Sequence, residues 1–422
     1  MKSLILKITS NKVVKNFGLV VISRFLNAFL YLSFTMILMK VLPTKDYGYY
    51  GYLYGLAGVV PFFLNLGINK SFTTYTCTEK DDTIFNNYLG LYWKTKLILT
   101  SVLILVTVGI YAYNKNLLEF TALLSGILFG LSESFKAPAE SKRKFDFVSK
   151  IVPIRNILLI TFTGILFLLE SLTLEFVIIS LLIANIINLV LIFIYYFKTI
   201  APFATNTSFS YKLLFGQTKW LFIKEFVQVF MARMEIFVLT YYIGKGIIQP
   251  EERAYFSGAF TLCFILPIIT NSLTNVLLPE VAQLKGTKNL KKYINKLKKT
   301  LFISIPSAAV FYFAMFLFVT LFFEDKYEAS LPLFPIIIIS TLFTFYTNNI
   351  SLIFYREGKL QSISLLAVSQ FVVGLISCLI LTPLYGSMGA VISLLIVRMV
   401  GFIIILIMTK MDLYEDVKKD LK

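Results

Sequence analysis

Pro61–Asn69 reads PFFLNLGIN, and Pro267–Asn275 reads PIITNSLTN. Each stretch has a proline, an asparagine four residues later and a second asparagine four after that. With 12 prolines and 19 asparagines in 422 residues, chance supplies roughly 0.02 such triplets, so a pair of them marks an internal duplication. The copies lie 206 residues apart, about half the chain, which predicts two related halves. On an unbroken helix the spacing of four lines up Pro61, Asn65 and Asn69 on one face, and Pro267, Asn271 and Asn275 on another.

The residues around both copies show the medium. The chain is 57% hydrophobic and only 15% charged, with a mean hydropathy of +0.79. Apolar segments near the ~20 residues needed to cross a bilayer core recur along its whole length. They fall at 17–40, 48–75, 88–112, 118–137, 149–169 and 174–197, then at 216–243, 253–283, 298–323, 331–355, 360–382 and 387–410. Lipid offers no partner to open backbone groups, and the alternating pattern of barrel strands is absent, so all are read as helices. The fold class is an all-α integral membrane protein of about 12 transmembrane helices in two pseudo-symmetric six-helix lobes, 1–205 and 206–422. Residues 1–16, with Lys2, Lys7, Lys12 and Lys15 scattered through them, lack the apolar core of a signal peptide. They read as an amphipathic helix at the membrane surface.

Basic residues in the connections set the orientation. With the N-terminus inside, cytoplasmic segments hold 27 Lys and Arg against six outside, and the external connections carry acids such as Glu251-Glu252 and Glu324-Asp325. Both termini are therefore expected in the cytoplasm. The net charge of +17 then faces anionic lipid headgroups and needs no nucleic acid to explain it.

Several chemistries are excluded. There is no histidine, and Cys77, Cys263 and Cys378 stand isolated in or beside apolar helices, a pattern that suits packing and not a zinc site or disulfide. No GxxxxGK[ST] loop is present, so ATP is not bound by that route. No cofactor is expected; energy comes from an ion gradient (H+ or Na+), from the substrate's own gradient or from partners.

What remains is polar chemistry inside the apolar segments, where a central Arg or Lys costs about 2.5–3.5 kcal/mol on insertion scales. The first segment carries Arg24, with Asn27, Tyr31 and Thr35 on nearly the same face. The seventh carries Lys224, Gln228 and Glu235, within about 40° of one another at 3.6 residues per turn. Arg233 points the opposite way, and Arg398 stands alone in the last segment. Arg24 and Lys224 either face a cavity as cations or snorkel to cytoplasmic headgroups. Glu235 lies deeper and is a candidate for ion coupling, or is neutralised by Lys224 or by a neighbouring helix. The amides of Asn65, Asn69, Asn271 and Asn275 bind substrate hydroxyls, or serve as interhelical hydrogen bonds alone. The run YGYYGYLYG at 47–55 reads as an external aromatic belt, with sugar stacking by its tyrosines as the alternative.

The first segment with its arginine, followed by LPTKDYGYYGY at 42–52, resembles the opening of the polysaccharide and O-antigen unit flippases. These belong to the multidrug/oligosaccharidyl-lipid/polysaccharide exporter superfamily. AYFSGAFTLCFILP at 254–267, LLPEVAQL at 277–284, KYEASLPLFPI at 326–336 and LTPLYGSMGAVISLLI at 381–396 agree with it. The resemblance covers nearly the whole chain, in loose motifs. It implies two six-helix lobes enclosing a central cavity lined by helices one and seven, and a substrate of short oligosaccharide joined through diphosphate to a polyprenol. Polysaccharide polymerase and chain-length proteins are the partners it suggests, in the bacterial cytoplasmic membrane. Family members often show aspartate where this chain has Glu235.

Physical chemistry suits that substrate. A glycan attached by diphosphate needs cations for its phosphates and amides or aromatic rings for its hydroxyls, and arginine offers a fork matched to phosphate oxygens. Two repeats rocking about a site at their interface would give alternating access. The closest alternative is a drug/cation antiporter of the same architecture. A membrane-embedded glycosyltransferase or polymerase is the alternative of another class, and the short external connections speak against it.

Overall fold

The computed structural model describes residues 12–77, 81–199, 219–270, 287–356 and 359–420, together with 274, 277 and 281. Every regular element among them is helical. The chain divides into two compact units. Unit 1 holds residues up to Pro43 and Leu53–Phe226, and unit 2 holds Thr44–Tyr52 and Val227 onward.

Unit 1 begins with α1 (Lys12–Val41), α2 (Thr44–Asn65), α3 (Ile68–Thr76) and α4 (Asp82–Asn114). It continues with α5 (Leu117–Ser134), α6 (Lys136–Ser141), α7 (Phe145–Ile151), α8 (Ile154–Leu168) and α9 (Leu174–Thr199). The joints are set by local chemistry. Asp81 accepts a hydrogen bond from the Thr83 N–H (2.8 Å) to start α4, and left-handed Lys115 (φ 54°) ends it. Asn116 then accepts from Leu118 and Glu119 N–H to start α5. Capping of this kind satisfies end groups that lipid cannot.

Apolar burial does not pull helices together in lipid, so close packing and polar contacts must do so. Gly126 and Gly130, in the run GILFG of α5, let α2 approach. A Cβ at Gly126 would stand 2.5 Å from the Ala57 carbonyl oxygen, and one at Gly130 would stand 3.0 Å from Pro61 Cα. On another face of α5, the Asn185 amide of α9 donates to Ser125 Oγ (2.6 Å).

Unit 2 contains α11 (Met234–Gly244), α12 (Glu252–Leu262), α13 (Thr287–Phe323), a 3-10 turn at Glu324–Ser330, α14 (Leu333–Arg356) and α15 (Leu360–Asp420). The intervening helix α10 (Lys219–Met231) crosses the division, as α2 does. The Tyr293 hydroxyl of α13 donates to the Asn349 carbonyl of α14 (3.1 Å). Ser377 and Ser393 join across the two halves of α15 (3.0 Å). Those halves meet at Gly386 (φ 59°, ψ −133°), a backbone conformation that only glycine adopts readily. Glu252 accepts the N–H that follows the kink, from Ser387 (2.7 Å).

All twelve expected segments carry helix among the described residues. Among the described residues nine helices are long and apolar enough to cross a membrane, or ten if one bent pair is a single span. The count differs from twelve because the last two segments run together through the Gly386 kink as Gln361–Met411. In addition, the expected helix at 48–75 breaks at Leu66-Gly67, and the one at 216–243 bends by 48° between Met231 and Met234. The tyrosine run departs from the expected belt as well. Tyr47 and Tyr50 are buried and Tyr47 packs edge-on against Tyr327, because helical spacing turns that face of α2 into unit 2.

Candidate functional site

The first copy of the proline–asparagine motif sits on a break. Pro61 lacks a backbone N–H, and Leu66 (φ 45°) and Gly67 (φ 75°) are left-handed, so α2 stops and α3 starts afresh. Asn65 and Asn69 therefore do not share the face of one continuous helix, as an unbroken reading expects. They repair the break. Asn65 Oδ1 accepts the Asn69 N–H (3.2 Å), and Asn69 Oδ1 accepts the Tyr92 hydroxyl (2.8 Å). The same hydroxyl lies 2.6 Å from the Ser134 carbonyl oxygen. Lys96 of α4, fully buried, donates its ammonium to the Leu64 carbonyl (2.8 Å) and lies 5.1 Å from the Tyr92 ring centre. Leu64 is among the last residues of α2, whose carbonyls lose their helical donors at the break.

A second polar cluster in unit 1 joins α1, α2, α5 and α8. The Asn156 amide donates to Asn27 at both its carbonyl and its Oδ1 (3.0 Å each). Tyr31 stacks on Tyr54 (5.3 Å between centres). Arg155 lies over Tyr54 (5.7 Å) and Phe129 (4.4 Å). One turn before Asn27, Arg24 is exposed and acts electrostatically on Glu140, as does Lys136. Lys136 also pairs with Glu133 (2.5 Å), and Lys70 of α3 pairs with Glu225 (2.5 Å).

The seventh segment behaves differently from its expected single stripe. Lys224 is half-buried in unit 1, whereas exposed Gln228 and buried Glu235 belong to unit 2. The bend at Ala232-Arg233 comes between Gln228 and Glu235, so the face predicted from 3.6 residues per turn is not continuous. Glu235 falls in the first turn of α11 and feels the charge of Arg398. Asn271 and Asn275 lie outside the described residues.

Lys96 and Arg155 were missed by the sequence reading. The rule that singled out Arg24, a charge inside an apolar segment, applies to both and would have found them. A third cation of note, Arg253 of α12, is buried. It donates to Thr240 Oγ1 (3.3 Å) and lies over Tyr49 (4.9 Å) and Tyr52 (5.8 Å).

Comparison with known proteins completes the description. A family model described as polysaccharide biosynthesis protein matches residues 37–332. The chain belongs to that family. Among solved structures, an inward-facing multidrug resistance MATE family transporter of the MOP superfamily is similar, with a TM-score of 0.72 at 13% identity over 94% of this chain and 99% of the other. The lipid II flippase MurJ in an inward closed conformation is similar with a TM-score of 0.70 at 17% identity, over 92% of this chain and 87% of MurJ. MATE in a bent conformation gives a TM-score of 0.61 at 12% identity, over 97% of both chains. No curated protein sequence matches the chain. This member of the polysaccharide biosynthesis protein family thus has the two-lobe helical fold of MOP-superfamily membrane transporters. No group of His, Cys, Asp and Glu fit to hold a metal ion occurs among the described residues.

Proposed function

We propose that the chain is a flippase that moves polyprenyl-diphosphate-linked oligosaccharide from the inner to the outer leaflet of the bacterial cytoplasmic membrane, for cell-surface polysaccharide synthesis. It works by alternating access between two lobes, 1–205 and 206–422, with both termini cytoplasmic, and it transports rather than catalyses. The observation that carries this reading is the make-up of the second cluster in unit 1. Arg155, Asn27, Asn156, Tyr31 and Tyr54 assemble guanidinium, amide and phenol groups, and exposed Arg24 lies one turn away. This is the chemistry that a diphosphate and sugar hydroxyls require. Lys224, Gln228 and the amides of Asn65, Asn69, Asn271 and Asn275 extend the proposed substrate path. Anionic lipids flank it, and polymerase and chain-length proteins receive its product.

The test is reconstitution of the purified protein with lipid-linked oligosaccharide, read by leaflet accessibility. Arg24→Ala is expected to abolish flipping at normal protein level, and Arg24→Lys to restore it only in part, because lysine keeps the charge and loses the fork. Full activity in the alanine variant removes Arg24 from the mechanism. Full rescue by lysine identifies a snorkelling arginine instead.

One observation favours the second reading, a drug/cation antiporter. Glu235 is a buried carboxylate at the start of α11, placed to bind a proton or sodium ion. Uptake of a cationic dye driven by an ion gradient, with no movement of lipid-linked glycan, would select it.

A further inference from the structure

Two helices that match in sequence position meet their surroundings differently. At the 206-residue offset of the proline–asparagine motifs, Lys292, Lys296 and Lys299 of α13 correspond to Asn86, Gly90 and Trp93 of α4. Asn86 is half-buried, and Gly90 and Trp93 are buried in unit 1, where Trp93 packs on Phe135 and Tyr196. The three lysines of α13 are exposed. None of them forms an ion pair or a hydrogen bond among the described residues. Seven lysines and no acidic residue lie between Val281 and Phe323.

Spacings of four and three place Lys292, Lys296 and Lys299 within about 60° on one side of α13. The opposite side ties the helix to α14. Buried Tyr293 donates to the Asn349 carbonyl (3.1 Å), and Thr300 (3.2 Å) and Ser304 (2.8 Å) both meet the Tyr346 hydroxyl. Past Lys299, the lysine side continues as Ile303, Val310, Leu317 and Leu321, all exposed. From Leu301 to Phe323 the helix has 23 residues without a charge. At 1.5 Å each they run about 35 Å, enough by themselves to cross a hydrocarbon core of about 30 Å. The lysines therefore belong to the end of the span, at the headgroups or beyond them, in line with an exposed apolar stripe.

We propose that this side of α13 is a binding surface for anionic phospholipid, its lysines taking the headgroup phosphates and its apolar stripe the acyl chains. Lysines clustered beside a span attract anionic lipid, and here no acid within the helix competes for them. A soluble acidic partner, protein or nucleic acid, would match the lysines but not the apolar stripe that continues from them. An overall excess of basic residues would attract lipid evenly, whereas this arrangement gathers it on one helix face. The corresponding positions of α4 are packed away, so the surface is a feature of unit 2. It operates whichever substrate crosses the membrane.

The experiment uses the full-length protein in detergent, mixed with equimolar phosphatidylglycerol and phosphatidylcholine of the same acyl chains. Lipid retained after gel filtration is counted by mass spectrometry. The wild type is expected to retain phosphatidylglycerol in preference. Exchanging Lys292, Lys296 and Lys299 together for glutamine should lower that preference about tenfold. Exchanging the same three for arginine keeps the charge and should keep the preference, which guards against a folding defect. A matched variant removes three exposed basic residues of unit 1, Arg143, Lys144 and Lys150, and should stay within about twofold of wild type. A glutamine variant of α13 that stays within the same twofold overturns the assignment. So does an equal loss in the unit 1 variant, which would leave only a diffuse effect of net charge. A wild type that retains the two lipids alike, as a surface for a soluble acidic partner would, overturns it as well.

Discussion

Two helices in this protein are interrupted, and the interruptions are resolved in opposite ways. Between α2 and α3 the backbone passes through two left-handed residues, Leu66 and Gly67. Its loose ends are met by side chains: Lys96 of α4 on the Leu64 carbonyl, and Asn65, the last residue of α2, on the Asn69 N–H. Between α10 and α11 the chain makes a 48° bend without left-handed residues, and its own backbone closes most of the gap, with Arg233 N–H donating to the Phe230 carbonyl (3.1 Å). The buried charges differ to match. A basic side chain, Lys96, sits at the carbonyl end of α2, and an acidic one, Glu235, sits in the first turn of α11. A helix carries partial negative charge at its C-terminus and partial positive charge at its N-terminus, and each buried group has the sign its helix end favours. The lesson is that a break offers a buried polar side chain a partner in its freed backbone groups, with the end of the break setting the sign it favours.

The largest effect is expected from removing Lys96. Lys96→Met keeps the length of the side chain and leaves the Leu64 carbonyl without a donor, so a loss of about 1–3 kcal/mol is expected. A thermal melt in detergent measures it. A melting temperature equal to wild type would show that the break closes itself, as the second one does.

Next comes the anion. If Glu235 and Arg398 act on one another across unit 2, a double-mutant cycle of Glu235→Gln and Arg398→Met should give a coupling energy above about 0.5 kcal/mol. Strict additivity would leave the helix end as the sole partner of Glu235. The smallest expected effect is at the amide cap. Asn65→Ala should cost about 1 kcal/mol, in the range of a lost N-cap, with Asn65→Asp close to neutral because it keeps the acceptor. Equal losses in the two variants would contradict a capping role.

How much of this was legible beforehand varies with position. The apolar segments were, because lipid demands long runs of hydrophobic residues and leaves few other solutions. Arg24, Asn27 and Tyr31 stood out as polar groups in such a run, and two of them, Asn27 and Tyr31, take part in the second cluster. Asn65 and Asn69 were found for a regularity that misled as to geometry. Spacing of four suggested a common face, yet Gly67 between them permits a left-handed turn, and the amides serve the turn. Lys96 and Arg155 obey the same signal as Arg24 and were within reach of it. Their roles were not, since nothing near Lys96 in sequence points to Leu64, and nothing near Arg155 points to Phe129.

By itself the sequence determined that this protein is helical, lies in a membrane and belongs with the polysaccharide biosynthesis proteins. Those properties follow from composition and local pattern, which each segment carries on its own. Only the tertiary structure decided where the helices break and which buried charge has a partner. A break is stable in lipid only if distant groups satisfy its freed backbone, and a charge is acceptable only for what surrounds it in space. Both are properties of neighbours brought together by folding, such as Lys96 with Leu64, and no single segment contains them.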